Sequence, residues 1–247
     1  MSSTLKNLRE KGLDFAANGV FIAPNYVSSE QCAVLLSLID KYRKSNGVPT
    51  IHRAAGSRPL HYSVIDGEKI RRDFPEVLGI YEDINQFVVE LSGLDLVPLE
   101  DEKVACNINI TGKGGSYRWH YDRNAVTAIL YLNAVGGGET ECYPNYRLAL
   151  GSGRYSVLQR WLDWLLQTAM FRLIFGKLLV VKPVAGTLLV MRGDKCLHSV
   201  RPVTGDDDRV NIIASFDVPG AKYAVASQLN DYLYNRDTSA LSDANYT

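Results

Sequence analysis

The spacing of apolar residues changes at about residue 100. Before that point the pattern is mostly helical. Residues 3–17 read as a short helix, and GVFIAPNYV (Gly19–Val27) reads as a strand. Ser28 or Ser29 then caps a helix running to about Lys44, with Ala33, Leu35, Leu36, Leu38 and Ile39 apolar. A second helix over Pro75–Leu91 carries Val77, Ile80, Ile84, Phe87 and Val88 at helical spacing. From Lys103 the segments shorten. VACNINI, VTAILYLN, ETECYP, KLLVVKPV, GTLLVMRG and RVNIIASFDV are β-rich, and Gly, Pro and Asn clusters separate several of them. Many short strands between turns predict a sandwich or barrel. The organisation expected is a single domain over 1–247. Its strand and helices in 1–100 pack on a β core of 103–220, and a polar tyrosine-bearing tail covers 221–247.

One segment interrupts the β pattern. In GRYSVLQRWLDWLLQTAMFRLIFG (153–176), polar Ser156, Arg160, Asp163 and Gln167 recur at steps of four, three and four. That spacing predicts one amphipathic helix inserted between strands. Its apolar residues exceed what a narrow core seam can hold. The plainer reading is a helix that covers the outside of the sheet; the sharper expectation is that one edge lines or closes a substrate pocket and the other packs on the sheet or on a second subunit.

Composition narrows the function classes. Lys and Arg number 27, as do Asp and Glu, so the chain lacks the electrostatic footprint of a nucleic-acid binder. No run of 18 apolar residues occurs; the nearest, Trp161–Val181, is broken by Asp163, Gln167, Arg172 and Lys177. The N-terminal MSSTLKNLREKGLDF has no apolar core of an export signal. Cys32, Cys106, Cys142 and Cys196 are scattered, so free thiols in a reducing cytoplasm are expected. No membrane partner is expected.

The candidate chemistry sits in SYRWHYDRNAVTAILYLN (Ser116–Asn133). In a strand, residues i and i+2 share a face, so His120 and Asp122 can aim an imidazole and a carboxylate at one point. Two ligands bind weakly, and His52, His61 and His198 are the remaining histidines. His198, near the other end of the β half, is the best third ligand. Two histidines and one carboxylate form the facial triad of non-haem Fe(II) oxygenases, which leaves positions open for a 2-oxo acid and dioxygen. His-x-Asp alone is common, and a strand histidine is more often a hydrogen-bonded structural residue. The weight comes from Arg209, eleven residues after His198, at the head of an apolar strand. A buried guanidinium needs an anionic partner and suits a carboxylate as a two-pronged donor.

In these motifs the chain resembles the Fe(II)/2-oxoglutarate-dependent oxygenases, and the prolyl hydroxylase branch in particular. The resemblance runs from about Val104 to Val218, through VACNINITGKGGSYRWHYD, VTAILYLNAVGGGETECYP and GTLLVMRGDKCLHSVRPVTGDDDRVNIIASFD. VFIAPNYVSSEQCAVLL is similar to the entry strand and helix of the same enzymes. The insertion at 153–176 departs from the usual pattern. The resemblance implies a mainly β fold with flanking helices, a double-stranded β-helix or distorted jelly roll with the metal between two sheets. It implies His120, Asp122 and His198 as iron ligands and Arg209 as the anchor of the 2-oxoglutarate distal carboxylate. Tyr131 sits where the family often places a hydroxyl on that carboxylate. Asn107 stands where the prolyl hydroxylase branch carries a tyrosine, and Asn211 shares a face with Arg209; both are candidates to bond the cosubstrate.

The function expected is oxidation of an unactivated C–H bond in a small molecule, such as an amino acid or natural-product intermediate. Fe(II), 2-oxoglutarate and dioxygen are the cofactors, with succinate and carbon dioxide released. Arg118, Arg123 and Trp161 are the candidate substrate contacts. A peptidyl prolyl-type hydroxylase is the alternative. A non-catalytic cupin-like binding protein, or a zinc site on the same ligands, is the alternative of another class. A halogenase would lack the carboxylate of Asp122. A nucleic-acid demethylase would carry RxNxTxR, where this chain reads RVNIIAS (Arg209–Ser215). A homodimer stays open.

Overall fold

The computed structural model describes residues 3–53, 60–150, 156–221 and 233–234. The N-terminal part runs α1 (Ser3–Asn18), β1 (Val20–Ala23), α2 (Ser29–Ser45), β2 (Thr50–Arg53), β3 (Leu60–Ile65), α3 (Gly67–Asp73), α4 (Pro75–Ser92), β4 (Val97–Pro98) and α5 (Glu102–Ala105). The β half follows as β5 (Cys106–Thr111), β6 (Tyr117–His120), β7 (Val126–Tyr131), β8 (Thr140–Tyr143), α6 (Val157–Gln167), α7 (Ala169–Phe175), β9 (Leu179–Val181), β10 (Leu188–Met191), β11 (Leu197–Val200) and β12 (Arg209–Asp217).

The helix ends follow local chemistry. Ser28 caps α2 in a reciprocal box: its hydroxyl accepts from the Gln31 amide, and the Gln31 side chain accepts from the Ser28 amide. Pro75 opens α4, and Gly93 closes it in the left-handed region at φ 65°. The strand expected over Gly19–Val27 is shorter. It ends at Ala23 because Asn25 turns at φ 54°, and Tyr26 and Val27 donate instead to the Gly186 carbonyl. The β2–β3 hairpin was not anticipated. Its signal was LHYSVI, in which Leu60, Tyr62 and Val64 alternate as buried positions.

Two antiparallel sheets carry the fold. The larger has the order β1-β10-β7-β12-β5-β3-β2, with β4 beside β12; the smaller has β6-β11-β8-β9. This is the expected double-stranded β-helix. Alternation in three adjacent strands divides its interior. Ile108 and Ile110 of β5, Val126 and Leu130 of β7, and Ile212 and Phe216 of β12 join Phe15, Ile39, Ile84 and Val88 in the core under the helices. The intervening residues, Asn107, Asn109, Thr127, Arg209 and Asn211, point the other way and are buried as well. Burial of both faces explains why CNINIT alternates apolar with polar residues while no position of it reaches solvent.

The segment read as one inserted helix is two, broken at Thr168. Thr168 leaves the helix at φ −66°, ψ 147°, and its hydroxyl donates to the Leu165 carbonyl, satisfying a group at the end of α6. The pair lies against Trp119, Tyr121, Tyr143 and Leu197, which alternate with the inward His120, Cys142 and His198. It therefore covers the outer face of the smaller sheet. Of the tail beyond Ala221, only Leu233 and Tyr234 are among the described residues.

Candidate metal centre

The strand pairing brings the three predicted ligands together. His120 of β6 is the register partner of His198 of β11, and their ring centroids are 4.2 Å apart. Asp122 follows β6 by two residues. One ligand atom from each of the three lies within 4.8 Å of the others.

Hydrogen bonds orient all three. The His120 Nδ1 lies 2.8 Å from the Arg118 carbonyl, and the His198 Nδ1 lies 3.1 Å from the Cys196 carbonyl. A carbonyl only accepts, so each Nδ1 carries the proton and each Nε2 keeps its lone pair. Both Nε2 atoms lie 3.5 Å from the same oxygen of Asp122, Oδ1. The other oxygen, Oδ2, accepts from the Thr127 hydroxyl at 2.6 Å, and that hydroxyl accepts from the Asn124 amide at 3.0 Å. Gly193 closes the support from behind. A Cβ there would lie 2.9 Å from Asp122 Cβ, the Asn124 carbonyl and Thr127 Oγ1.

The protonation states suit ligation. Burial pushes the His198 imidazole down to about 4, against the pull of Asp122, so it is neutral at ordinary pH. Burial alone would raise the Asp122 carboxyl. His198, and His120 with Thr127, outweigh it and hold the group well below the usual carboxylate range. Two neutral imidazole nitrogens and a carboxylate oxygen on one side of a cavity match a facial triad; no thiolate competes.

A second polar station lies on the larger sheet. Arg209, only 2% exposed, opens β12. Its guanidinium donates to Asn211 Oδ1 and, at 3.2 Å, to Thr140 Oγ1. Both acceptors are neutral, and among the described residues no carboxylate pairs with Arg209. Its Nε and the Asn211 Nδ2 are buried without a partner. A buried cation with spare donors fits an incoming carboxylate. Tyr131 backs this arrangement: its ring lies 5.2 Å from the guanidinium, and its hydroxyl donates to Thr140 Oγ1 at 2.7 Å.

One cavity of about 160 Å³ joins both stations. His120, Asp122, His198, Arg209 and Asn211 line it, as do Asn107, Asn109 and Arg123. Other predicted residues fall elsewhere. Tyr131, expected to offer its hydroxyl to the cosubstrate, is fully buried, contacts Arg209 and Thr140, and is not among the lining residues. Arg118 offers its carbonyl to His120, and its side chain is not part of the lining. Trp161 is 57% exposed on α6, on the far side of the smaller sheet, and no described residue of the insertion is in the lining; residues 153–155 of it lie outside the described residues. The cause is that α6 and α7 pack on the outward residues of β6, β8 and β11, whereas the cavity lies inward.

Several lining and supporting residues were not anticipated. Asn109 is one: it donates to the Tyr117 hydroxyl at 2.6 Å, beside the expected Asn107, which donates to the Tyr234 hydroxyl at 3.2 Å. The two asparagines at alternate positions of a buried strand were the available signal. Thr127, Thr140 and Gly193 carried none, because their roles exist only across strands.

Comparison with known proteins agrees with this geometry. A family model described as the 2OG-Fe(II) oxygenase superfamily matches residues 106–216. Over those residues the chain is similar to the 2OG-Fe(II) oxygenase superfamily. No curated protein matches it in sequence. Among solved structures it is similar to the non-heme alpha ketoglutarate dependent epimerase SnoN from nogalamycin biosynthesis. That match has TM-score 0.68 and 13% identity, over 98% of this chain and 93% of the other. It is also similar to the carbocyclase SnoK from the same biosynthesis, with TM-score 0.65 and 16% identity over 89% and 90% of the two chains. A Pseudomonas putida prolyl-4-hydroxylase aligns with TM-score 0.57 and 19% identity over 86% and 100%. At these identities the structures share the fold.

Proposed function

We propose that this protein hydroxylates, desaturates or cyclises an unactivated C–H position of a small molecule. His120, Asp122 and His198 would hold Fe(II), and Arg209 with Asn211 would hold the distal carboxylate of 2-oxoglutarate. The observation that carries the reading is one cavity shared by two features: the cluster of two imidazoles and a carboxylate, and a buried arginine that has no acidic partner among the described residues. Bound there, the metal with 2-oxoglutarate and dioxygen supplies the oxidising power, and 2-oxoglutarate leaves as succinate and carbon dioxide.

The chain's own contribution is placement. Arg118 and Cys196 carbonyls fix the two imidazoles, and Thr127 turns Asp122 so that one oxygen faces them. Arg209 aims a dicarboxylate along the larger sheet toward that cluster. Ile129 and Ile213 are apolar walls that exclude water near the reacting carbon. Asn107, Asn109 and Arg123 line the cavity as the polar groups that orient the substrate.

The residues at the cavity wall favour a small molecule over a peptide. The Tyr62 hydroxyl donates to the Leu233 carbonyl at 2.6 Å, and Leu233 and Tyr234 stand in the cavity wall where an extended peptide would need an open groove. SnoN and SnoK, both named for a natural-product pathway, support the same class. The test is succinate release from 2-oxoglutarate, assayed with pooled small metabolites and, separately, with proline-containing peptides. Stimulation by peptides alone would transfer the reading to a peptidyl hydroxylase. No turnover with Fe(II) under any condition would reduce the site to binding.

A further inference from the structure

Helix α6 departs from an ordinary surface helix in what it leaves outside. Its inner side carries Gln159, Asp163 and Leu166, all buried. Asp163 pairs with Arg147, whose Nε donates to it at 3.0 Å, and Gln159 donates to it at 2.8 Å. Its outer side carries Val157, Trp161 and Trp164, at steps of four and three. Trp164 is 54% exposed, beside the already exposed Trp161. Helix α7 buries no residue, and its Leu173 is 85% exposed. The apolar surface continues through Leu178 to Val180 in β9, the edge strand of the smaller sheet. Eleven of the seventeen exposed large apolar residues among those described fall between Val157 and Val184. Apolar surface this concentrated marks a partner site.

The charges interleaved with it have one sign. From Cys142 to Met191 the sequence holds six lysines and arginines and a single acid, in a chain of zero net charge. That acid is the buried, paired Asp163. Arg160, Lys177 and Lys182 are exposed.

We propose that α6, α7 and the β9 edge form a docking surface for an anionic phospholipid bilayer. Phosphate headgroups complement Arg160, Lys177 and Lys182, while the tryptophans and Leu173 enter the boundary between headgroups and acyl chains. A symmetric contact with a second copy would instead set one cationic patch against another, with no exposed acid between Cys142 and Met191 to offset them. The contact lies along the membrane: α6 has 11 residues and α7 has 7, and no described helix is long and apolar enough to cross one. It is independent of the reading of the metal site, because no residue of α6 or α7 lines the cavity.

The test is flotation of the full chain with vesicles of phosphatidylcholine alone or mixed with phosphatidylglycerol. Binding is expected only to the mixed vesicles, with a blue shift of tryptophan emission. Trp164→Ser combined with Leu173→Ser should abolish it while near-ultraviolet circular dichroism stays native, since both side chains are exposed. Lys177→Gln and Lys182→Gln should each weaken it about fivefold at low salt, and added salt should weaken it further. No binding, equal binding to both vesicles, or binding unchanged in the substituted chains overturns the proposal. So does a dimer that these substitutions dissociate, without any vesicle binding.

Discussion

His120 and His198 stand opposite one another across the β6–β11 pair, and each Nε2 lies 3.5 Å from the same oxygen of Asp122. The cluster is held by backbone pairing, so removing one imidazole leaves the other two groups in place but without a third ligand. His120→Ala or His198→Ala should each abolish stoichiometric Fe(II) binding, measured by calorimetry under anaerobic conditions. Retention of one equivalent of iron in both variants would remove the assignment.

Thr127 and Gly193 act on the metal through Asp122. Thr127→Val keeps the volume but deletes the hydroxyl that pins Oδ2. Loss of such an outer partner typically weakens metal affinity by about 10–100-fold. Gly193→Ala places a methyl 2.9 Å from Asp122 Cβ and should displace the carboxylate as well. Competition with a chelator of known affinity reads both. Unchanged iron affinity in Thr127→Val would show that Asp122 needs no such hold.

Arg209 should govern 2-oxoglutarate and not the metal. Removing one partner of a buried charge pair costs about 3–5 kcal/mol, so Arg209→Ala should raise the 2-oxoglutarate requirement by more than about a hundredfold. Arg209→Lys keeps the charge but loses the fork, and should recover only part of the affinity. Iron binding should persist in both. An unchanged dependence on 2-oxoglutarate would move the anchor to another residue.

The metal-free protein should lose stability in mild acid. The His198 pKa is about 4 in the fold, below its ordinary value near 6.5. As pH falls through 6.5 the unfolded chain takes up the proton first, so stability present above that pH declines toward pH 4, by at most about 3 kcal/mol. The Asp122 shift acts in the same direction at lower pH: its contribution is present above its ordinary carboxylate pKa and is lost below it. Urea unfolding at neutral pH and near the lower value, on the wild type and on His198→Gln, measures the slope. The variant should show a shallower decline; an identical one would assign the acid sensitivity elsewhere.

Local pattern determined a large part of this molecule. Helix caps at Ser28, Pro75 and Gly93, the change of period at Lys103, and the short β segments of the C-terminal half are all consequences of neighbouring residues, and each lies where the chain places it. His120 and Asp122 share a face because strand geometry has period two. The cavity face of β5 and β12 was also legible, since Asn107, Asn109, Arg209 and Asn211 alternate with apolar residues in strands that carry no solvent face.

What only the tertiary structure decided is what lies across from what. Hydrogen bonds between strands distant in sequence align His120 with His198, and Asn211 with both Asn109 and Tyr131. Those alignments depend on register, which no local spacing encodes. The same is true of Thr127 beneath Asp122 and of Thr140, which accepts from both Tyr131 and Arg209. Helix α6 is the clearest case. Its sequence defines one polar and one apolar side, but amphipathicity does not say which side faces the protein. Arg147, on the loop after β8, draws Asp163 inward by a buried ion pair, Gln159 donates to that same carboxylate and to the Leu148 carbonyl, and Trp161 and Trp164 are turned outward, away from the site.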